Sequence, residues 1–170
     1  MIRVLVADDH TMVRQGIRLL LETQPDIQVV GEASDGVQVV RLAQEYEPDV
    51  VVMDIAMPNL DGLEATREIH GTLPGTHILA LTMHEGDEYF FKILDAGAAG
   101  YVLKRAAAND LIDAVRAVAR GEVVLNPSVI KKLVTDYVGR THAFESCKEL
   151  QQWLSRQTSE NHSVRTRRIT

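Results

Sequence analysis

The chain has 170 residues, with 18 Lys and Arg against 24 Asp and Glu, a formal net charge of −6. That length suits about one domain, and the acidic balance argues against a chain-wide nucleic-acid surface. A 45% apolar share excludes wholesale disorder, no apolar run reaches the ~20 residues of a membrane helix, and the single Cys147 excludes an internal disulfide.

Met1-Ile2-Arg3-Val4 runs straight into an apolar stretch without a leader layout, so a cytoplasmic, reducing location is expected and no membrane partner. Ile2–Ala7 is rich in Val and Ile and reads as a buried strand. Met12, Val13, Ile17, Leu20 and Leu21 follow at helical spacing and predict a helix over Met12–Glu22. Ile27–Gly31 reads as a second strand. Val39, Leu42, Ala43 and Tyr46 stand at i, i+3, i+4 and i+7, one face of a second helix. Val50–Met53 is a third, very apolar strand. Asp61-Gly62-Leu63-Glu64 has the form of a capping box, Asp replacing Ser or Thr, and opens a third helix. His77–Leu81 is a fourth strand. Asp87–Ala96 is a fourth helix, stopped by Gly97. Gly100–Leu103 is a fifth strand, and Asp110–Arg120 a fifth helix, stopped by Gly121. Asn126-Pro127 gives a cap and a first-turn proline for a sixth helix, reaching about Val138.

Strands separated by helices of this length imply parallel pairing with right-handed crossovers. Strands apolar throughout imply a sheet covered on both faces, a doubly wound α/β fold. Such sheets bind ligands at the carboxyl ends of their strands. Strand one ends in Asp8-Asp9, strand three in Asp54, strand four in Thr82 and strand five in Lys104. Taken singly, each has an ordinary reading: helix caps for Asp8, Asp9 and Thr82, turn chemistry for Asp54, a solvated surface lysine for Lys104. Five such residues at four strand ends do not reduce to caps. Three converging carboxylates repel one another unless a cation is present, and Mg²⁺ suits carboxylates with water and phosphate. A hydroxyl and an ammonium are the partners a phosphoryl group requires.

The stretches Val4-Leu5-Val6-Ala7-Asp8-Asp9-His10, Met53-Asp54-Ile55-Ala56-Met57-Pro58-Asn59-Leu60-Asp61-Gly62, Leu81-Thr82 and Gly100-Tyr101-Val102-Leu103-Lys104 resemble a two-component response-regulator receiver domain over about residues 1–120. Asp8-Asp9-His10 with Val13-Arg14-Gln15-Gly16 resembles the LuxR/NarL/FixJ-type branch, which carries a helix-turn-helix DNA-binding effector. The resemblance implies a flavodoxin-like strand order 2-1-3-4-5. It implies that Asp54 accepts a phosphoryl group from a sensor histidine kinase. Asp9, Asp54 and the Ala56 carbonyl would bind Mg²⁺, with Asp8 acting mainly through water. Lys104 would pair with Asp54 and then with the phosphoryl oxygens, Thr82 would turn to hydrogen-bond the group, and Tyr101 would follow inward as the second switch residue. Arg105 stands where many members of the family have proline.

Fold-mates with other chemistry fit worse. Asp8-Asp9 would repel a flavin phosphate. Ala56 occupies the place where a haloacid-dehalogenase-type phosphatase has its acid/base aspartate, so slow autodephosphorylation is expected and no enzyme activity beyond self-phosphorylation. No Walker-A sequence occurs.

The expected organisation is a receiver domain over 1–121, a linker helix over 122–140 and a non-family tail over 141–170. The tail holds five bases and three acids, against a net −8 in the first 140 residues. After Gly139 only 31 residues follow, too few for a four-helix effector at ~10–14 residues per helix. A truncated or frameshifted regulator is therefore expected, its tail largely disordered after Leu154. It would switch a protein-interaction surface, with a phosphorylation-dependent homodimer among the partners the resemblance allows. DNA binding by this chain is not expected. The alternative is a transcription regulator that binds DNA through a degenerate effector.

Overall fold

The computed structural model describes residues 1–83, 87–106 and 108–125, together with Ile130, Lys131, Val134, Thr135 and Arg156. Strands and helices alternate: β1 (Ile2–Ala7), α1 (Thr11–Glu22), β2 (Ile27–Ala33), α2 (Gly36–Tyr46), β3 (Val50–Asp54), α3 (Gly62–Thr72), β4 (His77–Thr82), α4 (Asp87–Asp95), β5 (Gly100–Leu103) and α5 (Ala108–Ala119). The strands form one all-parallel sheet in the order β2-β1-β3-β4-β5. This is the doubly wound, flavodoxin-like arrangement expected from the sequence.

Side chains alternate across each strand and sort into two layers. Leu5, Val51, Ile78 and Ala80 face α2, α3 and α4, meeting Val39, Ala43 and Ile69. Val4, Val6, Val50, Val52 and Leu79 face α1 and α5, meeting Leu21, Val115 and Val118. Each large side chain fully buried here contributes roughly 1.5–3 kcal/mol by area. β3, at the centre, has every residue buried.

The edge strand departs from the expectation of apolar strands throughout. β2 runs two residues past Gly31, through Glu32 to Ala33, and its burial is broken by exposed Gln28. Pairing with β1 slips between Val4 and Leu5, where Val29 is followed by Gly31 in register. That bulge leaves Val30 out of the ladder, as bulges at sheet edges do. An edge strand needs only one neighbour and can carry polar residues, so its hydrophobic pattern understates its length.

Two helix faces differ in detail from their spacing. On α1 only Ile17, Leu20 and Leu21 pack against the core, while Met12 is 86% exposed and Val13 lies outside it. On α2 the buried set is Gly36, Val39, Val40 and Ala43, and Tyr46 is exposed. The helix stops are as expected: Gly97 and Gly121 both have positive φ, 105° and 81°, the left-handed conformation that closes α4 and α5. The expected cap of α3 forms, with Asp61 accepting from the Glu64 N–H at 2.8 Å.

The expected linker helix over 122–140 begins otherwise. Residues 122–125 are not helical. Val124 bridges Gly100 in parallel, donating to the Ala99 carbonyl and accepting from the Tyr101 N–H, both at 3.1 Å. The open edge of β5 offered these unpaired backbone groups, and the chain satisfies them before turning away. Ile130, Lys131, Val134 and Thr135 are helical. The Asn126-Pro127 cap and the tail over 141–170, apart from Arg156, lie outside the described residues. Among the described residues no helix is long and apolar enough to cross a membrane.

Candidate functional site

Strand register builds the rim. Ala7 pairs with Met53, Asp54 with Leu81 and Thr82 with Leu103. The ladder runs on beyond the strand ends. The Asp8 N–H donates to Ala33 O at 3.0 Å, Ile55 N–H to Leu81 O at 3.1 Å and Lys104 N–H to Thr82 O at 2.9 Å. Asp8, Asp54, Thr82 and Lys104 are thereby fixed by backbone hydrogen bonds at one end of the sheet.

Lys104 Nζ lies 2.8 Å from Asp54 Oδ2, a hydrogen bond, and 3.0 Å from Asp8 Oδ2. The second approach lies outside hydrogen-bond geometry, so Asp8 Oδ2 is a buried oxygen without a hydrogen-bond donor. All three side chains are shielded, Lys104 at 10% exposure and Asp8 at 0%. Asp8 Oδ1 accepts the His10 N–H at 2.8 Å, and Asp54 Oδ1 accepts the Ala56 N–H at 3.1 Å. Asp9 and His10 stand at the exposed mouth, with His10 Nδ1 3.1 Å from Asp9 Oδ1. One ligand atom from each of Asp8, Asp9, His10 and Asp54 lies within 4.8 Å of every other.

Charge is out of balance here. Burial pushes the Asp54 carboxyl above its usual range, its hydrogen bond to Lys104 pulls it back, and the Asp8 charge raises it further. Burial opposes the charge on Lys104, but its bond to Asp54 and the pull of Asp8 more than offset this and hold it above the ordinary lysine value. One ammonium serves two buried carboxylates, and a third carboxylate stands at the mouth. This donor set, with a buried carboxylate oxygen that receives no hydrogen bond, suits a hard divalent cation.

The loop after β3 is pinned on both sides of exposed Ala56, because Ile55 and Met57 are buried. The Gly62 N–H donates to Ile55 O at 2.9 Å. A Cβ on Gly62 would collide with the Asp54 carbonyl and lie 2.6 Å from Ile55 Cα. Only glycine lets the first turn of α3 close this tightly on the backbone that carries Asp54.

Of the residues singled out in sequence, the structure brings Asp8, Asp9, Asp54 and Lys104 together. Thr82, 3% exposed, stands at the adjacent strand end, and Tyr101, 2% exposed, is packed in the α2–α4 layer. Burial raises the Tyr101 hydroxyl above its ordinary value. With Arg105 after it, Lys104 still reaches both carboxylates. Two residues had been given no role. His10 counted only as part of the Asp8-Asp9-His10 wording. Arg14 reaches from α1 to donate to Asp8 O at 2.8 Å, while its Nε pairs with Glu32 Oε1 at 3.3 Å. Arg14 counted only as part of the Val13-Arg14-Gln15-Gly16 wording, and its second partner, Glu32, lies beyond the expected end of β2.

The sequence profile described as "Response regulator receiver domain" matches residues 4–116. The transcriptional regulatory protein LiaR of Bacillus subtilis (strain 168) is 47% identical over 135 residues, which cover 79% of this chain and 64% of that one. The crystal structure of a two-component response regulator of the LuxR family from Aurantimonas sp. SI85-9A1 is similar at a TM-score of 0.77 and 38% identity, over 81% of this chain and 99% of that one. The isolated REC domain of RcsB from Salmonella enterica serovar Typhimurium, solved with phosphomimetic BeF3⁻, is similar at a TM-score of 0.70 and 32% identity, over 76% and 96%.

Proposed function

The chain belongs to the response regulator receiver domain family, and from that premise we propose that Asp54 is the phosphoryl acceptor in a two-component phosphorelay. The observation that carries this is the single ammonium of Lys104 shared between Asp54 and Asp8 at neighbouring strand ends. An oxygen of Asp54 attacks the phosphorus of a phosphohistidine on a sensor histidine kinase. A P–O bond forms, the P–N bond breaks, and the imidazole leaves with the electron pair. Acetyl phosphate reacts in the same way, with acetate leaving.

Lys104 holds Asp54 in place before transfer and a phosphoryl oxygen after it. The Thr82 hydroxyl donates to a second phosphoryl oxygen. The expected inward turn of Tyr101 does not apply, because the ring already lies inward at 2% exposure, so the change at Thr82 reaches the surface made by α4, β5 and α5 with this ring in place. A local charge change of this kind biases a two-state surface. Asp9, Asp54 and the Ala56 carbonyl would hold Mg²⁺, with Asp8 acting mainly through water. When bound, Mg²⁺ offsets the charge of the transferred group. Ala56 offers no acid or base for hydrolysis, so the aspartyl phosphate is lost slowly. The output is a protein-interaction surface in the cytoplasm, a second phosphorylated copy being one partner.

With Mg²⁺ and acetyl phosphate the chain gains one phosphoryl group by intact mass, labile to hydroxylamine. Asp54→Ala gains none. Label retained in that variant moves the acceptor elsewhere.

A further inference from the structure

His10 occupies the N-cap of α1, where a side chain ordinarily accepts a hydrogen bond from the first helical turn. It makes no such bond. Its Nδ1 turns instead toward the carboxylates, 3.1 Å from Asp9 Oδ1 and 3.4 Å from Asp8 Oδ1. It thereby joins Asp8, Asp9 and Asp54 in the group whose ligand atoms lie within 4.8 Å of one another. Opposite ligands of an octahedral ion at ~2.1 Å stand ~4.2 Å apart, so the four groups need only small movements to share one ion. Asp9 and His10 are exposed and able to make them. Asp8 Oδ2, fully buried below the mouth, receives no hydrogen bond and shares the Lys104 ammonium, 3.0 Å away, with Asp54, so the pocket is short of positive charge.

We infer that His10 is a nitrogen ligand of this cation site, and that it tilts the site toward divalent transition ions such as Co²⁺ and Ni²⁺ relative to Mg²⁺. The inference rests on reading the rim as a cation site. Imidazole is a good donor to Co²⁺, Ni²⁺ and Zn²⁺, whereas Mg²⁺ selects oxygen and readily keeps water in the same position. The three carboxylates serve either ion. The histidine nitrogen is the ligand that separates them.

The full chain is titrated calorimetrically with CoCl₂ and, separately, with MgCl₂, and the visible d–d spectrum of bound Co²⁺ is recorded. His10→Asn supplies a favoured N-cap residue, and His10→Gln serves as a second variant if circular dichroism shows the first unfolded. Either lowers Co²⁺ affinity about tenfold or more, and the ratio of Co²⁺ to Mg²⁺ affinity falls by a similar factor. The Co²⁺ bands shift as a nitrogen donor is lost. Asp9→Asn weakens both ions together. A folded His10 variant that keeps wild-type Co²⁺ affinity and spectrum overturns the inference. Failure of the unsubstituted chain to bind either ion overturns the cation reading of the rim with it. Metal binding with no acetyl phosphate labelling removes only the acceptor role of Asp54.

Discussion

The two ends of the sheet treat the same residue type in opposite ways. At the amino end, Asp26 accepts two hydrogen bonds from Arg116 at 2.9 Å, which hold its carboxyl below the usual range. Asp49 accepts the Arg3 N–H at 2.9 Å, and the Thr76 hydroxyl donates to Pro48 O at 2.8 Å. The Asp26–Arg116 ion pair there is matched one to one beside water. At the carboxyl end, Asp54 is pushed upward because burial dominates and one lysine is shared. Closing a sheet end requires satisfied polar groups, and the amino end meets that need. The carboxyl end leaves an attraction for positive charge unmet, and that unmet attraction is what a phosphoryl-accepting site can use.

The sharpest break in this contrast is Lys104→Met. It leaves two buried carboxylates facing each other, and breaking a buried pair costs about 3–5 kcal/mol. Urea unfolding at pH 8 without divalent ions measures the loss, and Mg²⁺ recovers part of it. An unchanged midpoint would mean that Lys104 carries no weight at the rim. Gly62→Ala comes next, forcing α3 off the Asp54 backbone at a cost of about 1–3 kcal/mol, with slower acetyl phosphate labelling. Equal labelling would show that the Asp54 loop tolerates the shift.

His77, at the start of β4, sharpens the contrast through pH. Burial holds its imidazole below the ordinary value, more strongly than nearby Asp49 raises it. The folded chain therefore binds this proton less readily than the unfolded chain. Its stability contribution is complete above about pH 6.5 and is lost as pH falls through the lower folded value. Unfolding midpoints of His77→Gln between pH 5 and 7 are flatter than those of the unsubstituted chain. Equal slopes would remove His77 as the source. The smallest effect belongs to Arg116→Ala. Its ion pair with Asp26 is solvated, so melting shifts little and labelling of Asp54 proceeds unchanged. A loss of labelling would show that the two ends are coupled.

The sheet was legible because central parallel strands must be apolar on both faces, which made β1, β3 and β4 plain. The edge was less so: Glu32 and the bulge after Val29 hide the last residues of β2. The rim was legible because strand ends fix it, so Asp8, Asp9, Asp54 and Lys104 followed from where the apolar runs stop. What depended on contacts between distant elements was not. The fit of Gly62 against Asp54, the reach of Arg14 to the Asp8 carbonyl and the turn of His10 away from its helix have no signature in spacing.

The pairing of Val124 with β5 bears on where the domain ends. The family profile stops at residue 116, and a cut after Gly121 looks harmless because α5 has closed. Such a cut removes both hydrogen bonds that seal the outer side of β5. An unsealed strand edge is a template for another chain, so the shortened protein would gain a concentration-dependent stickiness that the longer one lacks. Sealing the edge of β5 takes the chain as far as Val124, and residues 122–125 belong to no helix.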